Sequence, residues 1–162
     1  MARIRKLVSG GQTGVDRAAL DVAIELGLPY GGWVPKGGRS EDMPEAPGLL
    51  AVYPLLREHT SREWPPRTKA NVRDSTATLI VLDGERIGPG TKLTMSLTVE
   101  LAKPTLKIVP GSHRAHALME GFLEGFDEDI ALNVAGSRES SSPGIYAATV
   151  EMLRGFSDLM VL

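Results

Sequence analysis

The chain has 162 residues, with 18 Lys and Arg against 20 Asp and Glu, a net charge of −2, no cysteine and three histidines. The lack of cysteine excludes disulfides, thiolate metal sites and cysteine nucleophiles, and His59, His113 and His116 form no HExxH arrangement, so no directly protein-ligated metal is expected. The near-balanced charge argues against a nucleic-acid binder, which carries a basic excess; without a membrane-length apolar run or a signal-peptide core, one cytoplasmic domain over residues 1–162 is expected, with no membrane partner.

The first apolar run, with Ile4, Leu7 and Val8, reads as a strand. Val15, Ala19, Val22, Ala23 and Leu26 then form the stripe of an amphipathic helix that Gly27 and Pro29 stop. Between strand and helix stands Ser9-Gly10-Gly11-Gln12-Thr13-Gly14, followed by Val15-Asp16-Arg17. Glycines allow positive φ and close approach of a ligand, and a helix N-terminus behind such a turn favours an anion, most often phosphate. The pattern is neither GxGxxG nor a P-loop, and a tight turn that needs glycine for geometry alone is the plain alternative. Gln12, Thr13, Asp16 and Arg17 add polar and charged groups to the turn.

Tyr30 to Val34 reads as a short second strand, followed by a polar loop in which Lys36 and Arg39 flank two glycines ahead of Glu41 and Asp42. Such a loop leaves the carboxyl end of its strand, where open α/β sheets bind ligands. Residues 43–66 hold five of the eleven prolines; Leu49 to Tyr53 suggests an edge strand, and the remainder an irregular lid, interface or packed loop. Arg67 to Ser75 reads as a polar helix, blocked upstream by Pro65-Pro66, with Arg67, Asn71 and Asp74 on one face.

Thr76 to Leu82 is the clearest strand, continuous and β-branched as in a parallel sheet interior. Gly88-Pro89-Gly90-Thr91 opens the next helix, with Thr91 as the expected N-cap. That helix has two apolar sides, Leu93, Leu97 and Leu101 on one and Met95, Val99 and Ala102 on the other, which suggests packing against the sheet and against a second subunit. Glu100, beside the first stripe, is expected to reach water. A fourth strand (105–109), a helix capped by Ser112 with Ala115, Leu118, Met119, Phe122 and Phe126 on its core face, and a fifth strand (129–135) follow, with His113 and His116 expected to be exposed. The fifth strand runs into Gly136-Ser137-Arg138-Glu139-Ser140, where hydroxyls beside a guanidinium suit phosphate or carboxylate, or form a flexible polar loop. The last helix starts near Pro143 and buries Ile145, Ala148, Thr149, Met152 and Phe156.

Strands alternating with helices predict a three-layer α/β domain, doubly wound in the Rossmann-like manner, with a mainly parallel sheet of five or more strands. Right-handed crossovers put the three polar turns (10–17, 88–91 and 136–140) at one edge of that sheet.

The segments 8–21 (VSGGQTGVDRAALD), 32–37 (GWVPKG), 67–75 (RTKANVRDS) and 132–140 (LNVAGSRES) resemble the molybdenum carrier protein family, a Rossmann-like group within the SLOG or lysine decarboxylase-like superfamily. The resemblance covers nearly the whole chain. It implies a small phosphate-bearing ligand, either the molybdenum cofactor (a phosphate-bearing pterin) or a nucleotide, and a homodimer or homotetramer. In that reading Gly10, Gly11 and Gly14 hold phosphate, Gly88, Gly90 and Thr91 form a second anion rim, Lys36, Arg39 and Arg138 supply positive charge beside Ser137 and Glu139, and Gln12, Asp16, Arg67 and Asn71 orient the ligand. The related phosphoribohydrolases carry an acid three residues after the turn threonine, where this chain has Thr94, so glycosidic cleavage is not implied. The alternatives are an enzyme on a nucleotide or nucleotide-derived signal using Asp16, Asp74 or Glu139, and a regulatory module with a vestigial pocket.

Overall fold

The computed structural model describes residues 1–84 and 86–162. Its strands are β1 (Ile4–Val8), β2 (Tyr30–Gly31), β3 (Trp33–Val34), β4 (Arg57–Glu58), β5 (Ala77–Val81), β6 (Thr105–Ile108) and β7 (Ile130–Gly136). Its helices are α1 (Val15–Leu26), α2 (Leu49–Val52), α3 (Trp64–Arg73), α4 (Pro89–Glu100), α5 (Ala115–Leu123) and α6 (Ile145–Arg154). The main sheet has the order β2-β1-β7-β5-β6 and every pairing in it is parallel. The expected Rossmann-like α/β architecture is therefore present, and the carboxyl ends of all five strands lie at one edge.

The two faces of the sheet differ. Because side chains alternate along a strand, Ala77, Leu79 and Val81 of β5 and Leu132 and Val134 of β7 join one apolar core with α1, α5 and α6. Their neighbours Thr78 and Asn133 point to the other side, where Asn133 Nδ2 donates to Thr78 Oγ1 at 3.3 Å. That side is covered by α3 and α4, whose buried residues include Asn71, Thr91, Thr94 and Thr98. A buried polar seam thus runs under the cleft described below.

Several local expectations are corrected. The single second strand is two: the chain bends at Gly32, β2 stays in the main sheet and β3 pairs with β4 in a separate parallel ribbon. Leu49 to Val52 is a helical turn rather than an edge strand, since Leu49 and Tyr53, four apart, both bury against Leu20 and Val34. Pro65-Pro66 does not block α3 but sits in its first turn, where a missing N–H is harmless. Pro89 likewise starts α4, so its N-cap is Gly88 rather than Thr91. The buried side of α4 is Thr91, Thr94, Leu97 and Thr98 rather than a leucine row, and Val99 is 81 % exposed. Ser112 sits before α5, which begins at Ala115; its Oγ accepts the Arg114 N–H and its carbonyl the Ala115 N–H.

Candidate functional site

The turns after β1, β5 and β7 converge on a cleft of about 290 Å³, near the lower end of the range of small-ligand sites. Gly10 and Gln12 come from the first, Gly88, Gly90 and Thr91 from the second, and Ser137 and Arg138 from the third. Arg67 and Asn71 of α3 close one wall, with Trp64 as an aromatic surface, and Asn133 lies at the base.

The centre of the cleft is an ion pair. Asp16, in the first turn of α1, is 6 % exposed, and its Oδ2 stands 3.4 Å from Arg67 Nη1. Burial pushes the Asp16 carboxyl up; the Arg67 charge and the Gln12 N–H draw it back without cancelling the shift. The guanidinium lies close against the glycine turn: a Cβ at Gly10 would fall 1.7 Å from Arg67 Nη1. Arg67 Nε is buried with no hydrogen-bond partner among the described residues. Such orphaned donors are rare in native proteins and are usually explained by a ligand, water or ion.

The glycine turn is organised internally. Gly11 N–H donates to Ser9 Oγ (3.1 Å), Gln12 N–H to Asp16 Oδ2 (3.3 Å), Thr13 N–H to Gln12 Oε1 (3.1 Å) and Val15 N–H to Ser137 O (3.1 Å). The last bond locks the first turn to the third, and Gly14 permits it, because with φ at 80° a Cβ would lie 2.4 Å from Ser137 O. At the start of α4 no side chain caps the helix, and Gly90 and Thr91 stand where N–H groups lack helical acceptors.

Gln12, Asp16 and Arg67 line the cleft. Asn71 lines it too, but its amide clamps β3, accepting from Trp33 N–H (2.7 Å) and donating to Trp33 O (3.0 Å). Asp74 accepts from Trp33 Nε1 and pairs with Arg73, which together hold it down to about 2. Arg17 turns away to Asp42 (2.8 and 2.9 Å) and lines a separate hollow with Thr13, Gly14, Asp21, Tyr53, Glu139 and Tyr146. Glu139 caps α6, accepting from Gly144 N–H (2.7 Å) and Tyr146 N–H (2.9 Å). Lys36 is exposed outside the cleft lining, and Arg39 stacks over Trp64 at 4.5 Å. Glu100 reaches solvent and pairs with Lys69. His116 contacts Asp158 at the surface. Thr94 Oγ1 donates to Gly90 O (3.1 Å), a bond within its own helix.

Sequence reasoning missed Asn133, although one polar residue inside an apolar strand run was a visible signal. It also missed Trp64, Thr68 and Leu93, which reach the cleft only through the way α3 and α4 pack. No group of three or more His, Cys, Asp or Glu among the described residues is placed to hold a metal ion, and no described helix is long and apolar enough to cross a membrane.

A parallel α/β sheet with three polar turns converging on a crevice at its carboxyl edge defines a Rossmann-like ligand-binding class. The family model of the Circularly permutated YpsA SLOG family matches residues 7–157, and the chain belongs to that family. It is also similar to the crystal structure of the "Putative molybdenum carrier protein" from Syntrophus aciditrophicus SB, at 39 % identity over 96 % of each chain with a TM-score of 0.86. No curated protein matches.

Proposed function

We propose that this protein binds a phosphate-bearing pterin, the molybdenum cofactor, or a nucleotide in the cleft between its three polar turns. The observation that carries the reading is Arg67, which lines the cleft and has a buried Nε with no hydrogen-bond partner among the described residues. The anionic group of the ligand sits at the start of α4, against the Gly90 and Thr91 N–H groups, with the Arg67 charge facing it. In this reading the glycine turn at 10–14 is a rigid wall of the site, since the Gly11, Gln12 and Thr13 N–H groups already have acceptors. Trp64 and Leu93 offer apolar surface to a ring, while Asn133 and Gln12 read its polar edge. The donor set fits the organic part of the molybdenum cofactor, and any molybdenum arrives already chelated by that ligand. The assembly in this reading is a homodimer or homotetramer, supported by the solvent-facing Val99 of α4.

The test is a thermal-shift panel of nucleotides and pterin phosphates on the wild type and Arg67→Ala. A stabiliser of the wild type that has no effect on the variant is expected. Equal shifts in both proteins would remove Arg67 from the site, and no shift with any compound would remove the reading.

A further inference from the structure

Beside the cleft, the loop 35–48 crosses the first and third turns and is fastened there by one carboxylate. Glu41 accepts from Thr13 Oγ1, from Ser140 Oγ (2.6 Å) and from Ser140 N–H (3.4 Å), and Arg138 Nε stands 3.8 Å away. Burial opposes its charge, yet the bonds from Ser140 and Thr13 hold its carboxyl below the ordinary value. Two hydroxyls, one backbone N–H and a guanidinium converging on one point form a donor set of the kind that receives oxyanions. A carboxylate presents two oxygens to it; a phosphate dianion presents three and carries more charge.

Two further observations separate this point from an ordinary loop anchor. It is continuous with the cleft, because Arg138 and Gln12 line the cleft, while Gln12 Oε1 accepts the Glu41 N–H (2.9 Å). The loop also has an independent fastening one residue on, since Asp42 receives a two-pronged bond from Arg17 and another from Ser40 Oγ (2.6 Å). Releasing Glu41 therefore leaves the loop tethered.

We propose that Thr13, Ser140 and Arg138 form an oxyanion-binding subsite that Glu41 fills as an internal stand-in, and that a phosphate dianion, free or ester-borne, displaces it. The subsite does not rest on what the cleft holds, since its donors lie at the rim and none is Arg67. An internal competitor lowers apparent affinity by the fraction of time it occupies the site.

The experiment uses the full chain, with inorganic phosphate as the probe against chloride at equal ionic strength. Titrations of the wild type, Glu41→Gln, Arg138→Ala and Ser140→Ala are followed by hydrogen exchange of residues 39–48. Phosphate is expected to speed exchange there in the wild type, to bind Glu41→Gln about tenfold more tightly, and to lose its effect in Arg138→Ala. Adenosine 5′-monophosphate and adenosine distinguish the source: a monophosphate stronger than phosphate, with adenosine inert, means an ester-borne group, and equal strength means the free anion. Unchanged affinity in Glu41→Gln overturns the proposal, as does wild-type exchange that ignores phosphate. If Glu41→Gln fails to fold, the wild-type exchange decides together with Ser140→Ala, in which phosphate is expected to bind more weakly; undiminished binding there overturns the proposal. Retention of these effects in Arg67→Ala separates the subsite from the cleft reading.

Discussion

Replacing Arg67 with alanine removes the cation from a carboxylate that stays buried. The pair is 11 % and 9 % exposed at its side chains, with 3.4 Å between Nη1 and Oδ2. At that distance and an effective dielectric of about 20, the attraction is about 5 kcal/mol. Desolvation of both groups offsets part of it, but truncating one partner leaves the other uncompensated, and such losses run at about 3–5 kcal/mol in buried pairs. The contact is long and opens onto a cleft, so we expect a loss of about 2–4 kcal/mol, or about 5–15 °C in Tm for a chain of this length. The sign of the pH dependence follows from Asp16, whose folded carboxyl already lies above its ordinary 3.8. A raised carboxyl makes the native state the better proton acceptor, so its stability falls as pH rises through that interval and is level above it. Loss of Arg67 raises the carboxyl further, so the deficit of Arg67→Ala relative to the wild type shrinks on acidification. Adding Asp16→Asn removes the stranded charge and recovers part of the loss. Urea unfolding of the four proteins of this cycle across pH measures it. A loss below about 0.5 kcal/mol, within the range of ordinary surface substitutions, or a deficit independent of pH, refutes the coupling.

Gly14→Ala meets both a positive φ and a Cβ position 2.4 Å from Ser137 O; a loss above about 2 kcal/mol by chemical denaturation is expected, and a neutral result contradicts the locked-turn geometry. Asn71→Ala strands the Trp33 N–H and C=O, costing about 1–3 kcal/mol with a change in the near-ultraviolet signal of Trp33; an unchanged signal rejects the clamp. Glu139→Ala removes the α6 cap at about 1 kcal/mol and leaves ligand affinity intact, whereas lost affinity at full stability would restore Glu139 to the site.

The sequence made the frame legible because burial writes itself into composition. The unbroken apolar run of β5 and the α1 stripe ending at Gly27 both stand where periodicity put them. The convergence of the three turns followed from the parallel order of the strands, which brings all their carboxyl ends to one edge. Local chemistry was harder to read. Leu49-Leu50-Ala51-Val52-Tyr53 has a strand composition, but the burial partners of Leu49 and Tyr53 make it helical. The threonine side of α4 is buried because it packs over β5 and β7, a tertiary fact that α4's own pattern does not contain. Roles were hardest of all. Arg17, Asn71 and Glu139 have the right chemistry for a ligand, and each is engaged by a partner 25, 38 or 5 residues away. Glu41 drew attention as half of an acidic pair, yet its contacts with Thr13 and Ser140 span 28 and 99 residues.

The most direct measurement is native mass spectrometry of the freshly purified protein, alone and with excess nucleotide or pterin phosphate, followed by denaturing extraction and elemental analysis. The account predicts one phosphate-bearing small molecule per chain, retained by the wild type and lost in Arg67→Ala; molybdenum accompanying a pterin mass would select the cofactor, and a nucleotide mass the other ligand. A chain that carries nothing as purified and takes up nothing from excess ligand would contradict it.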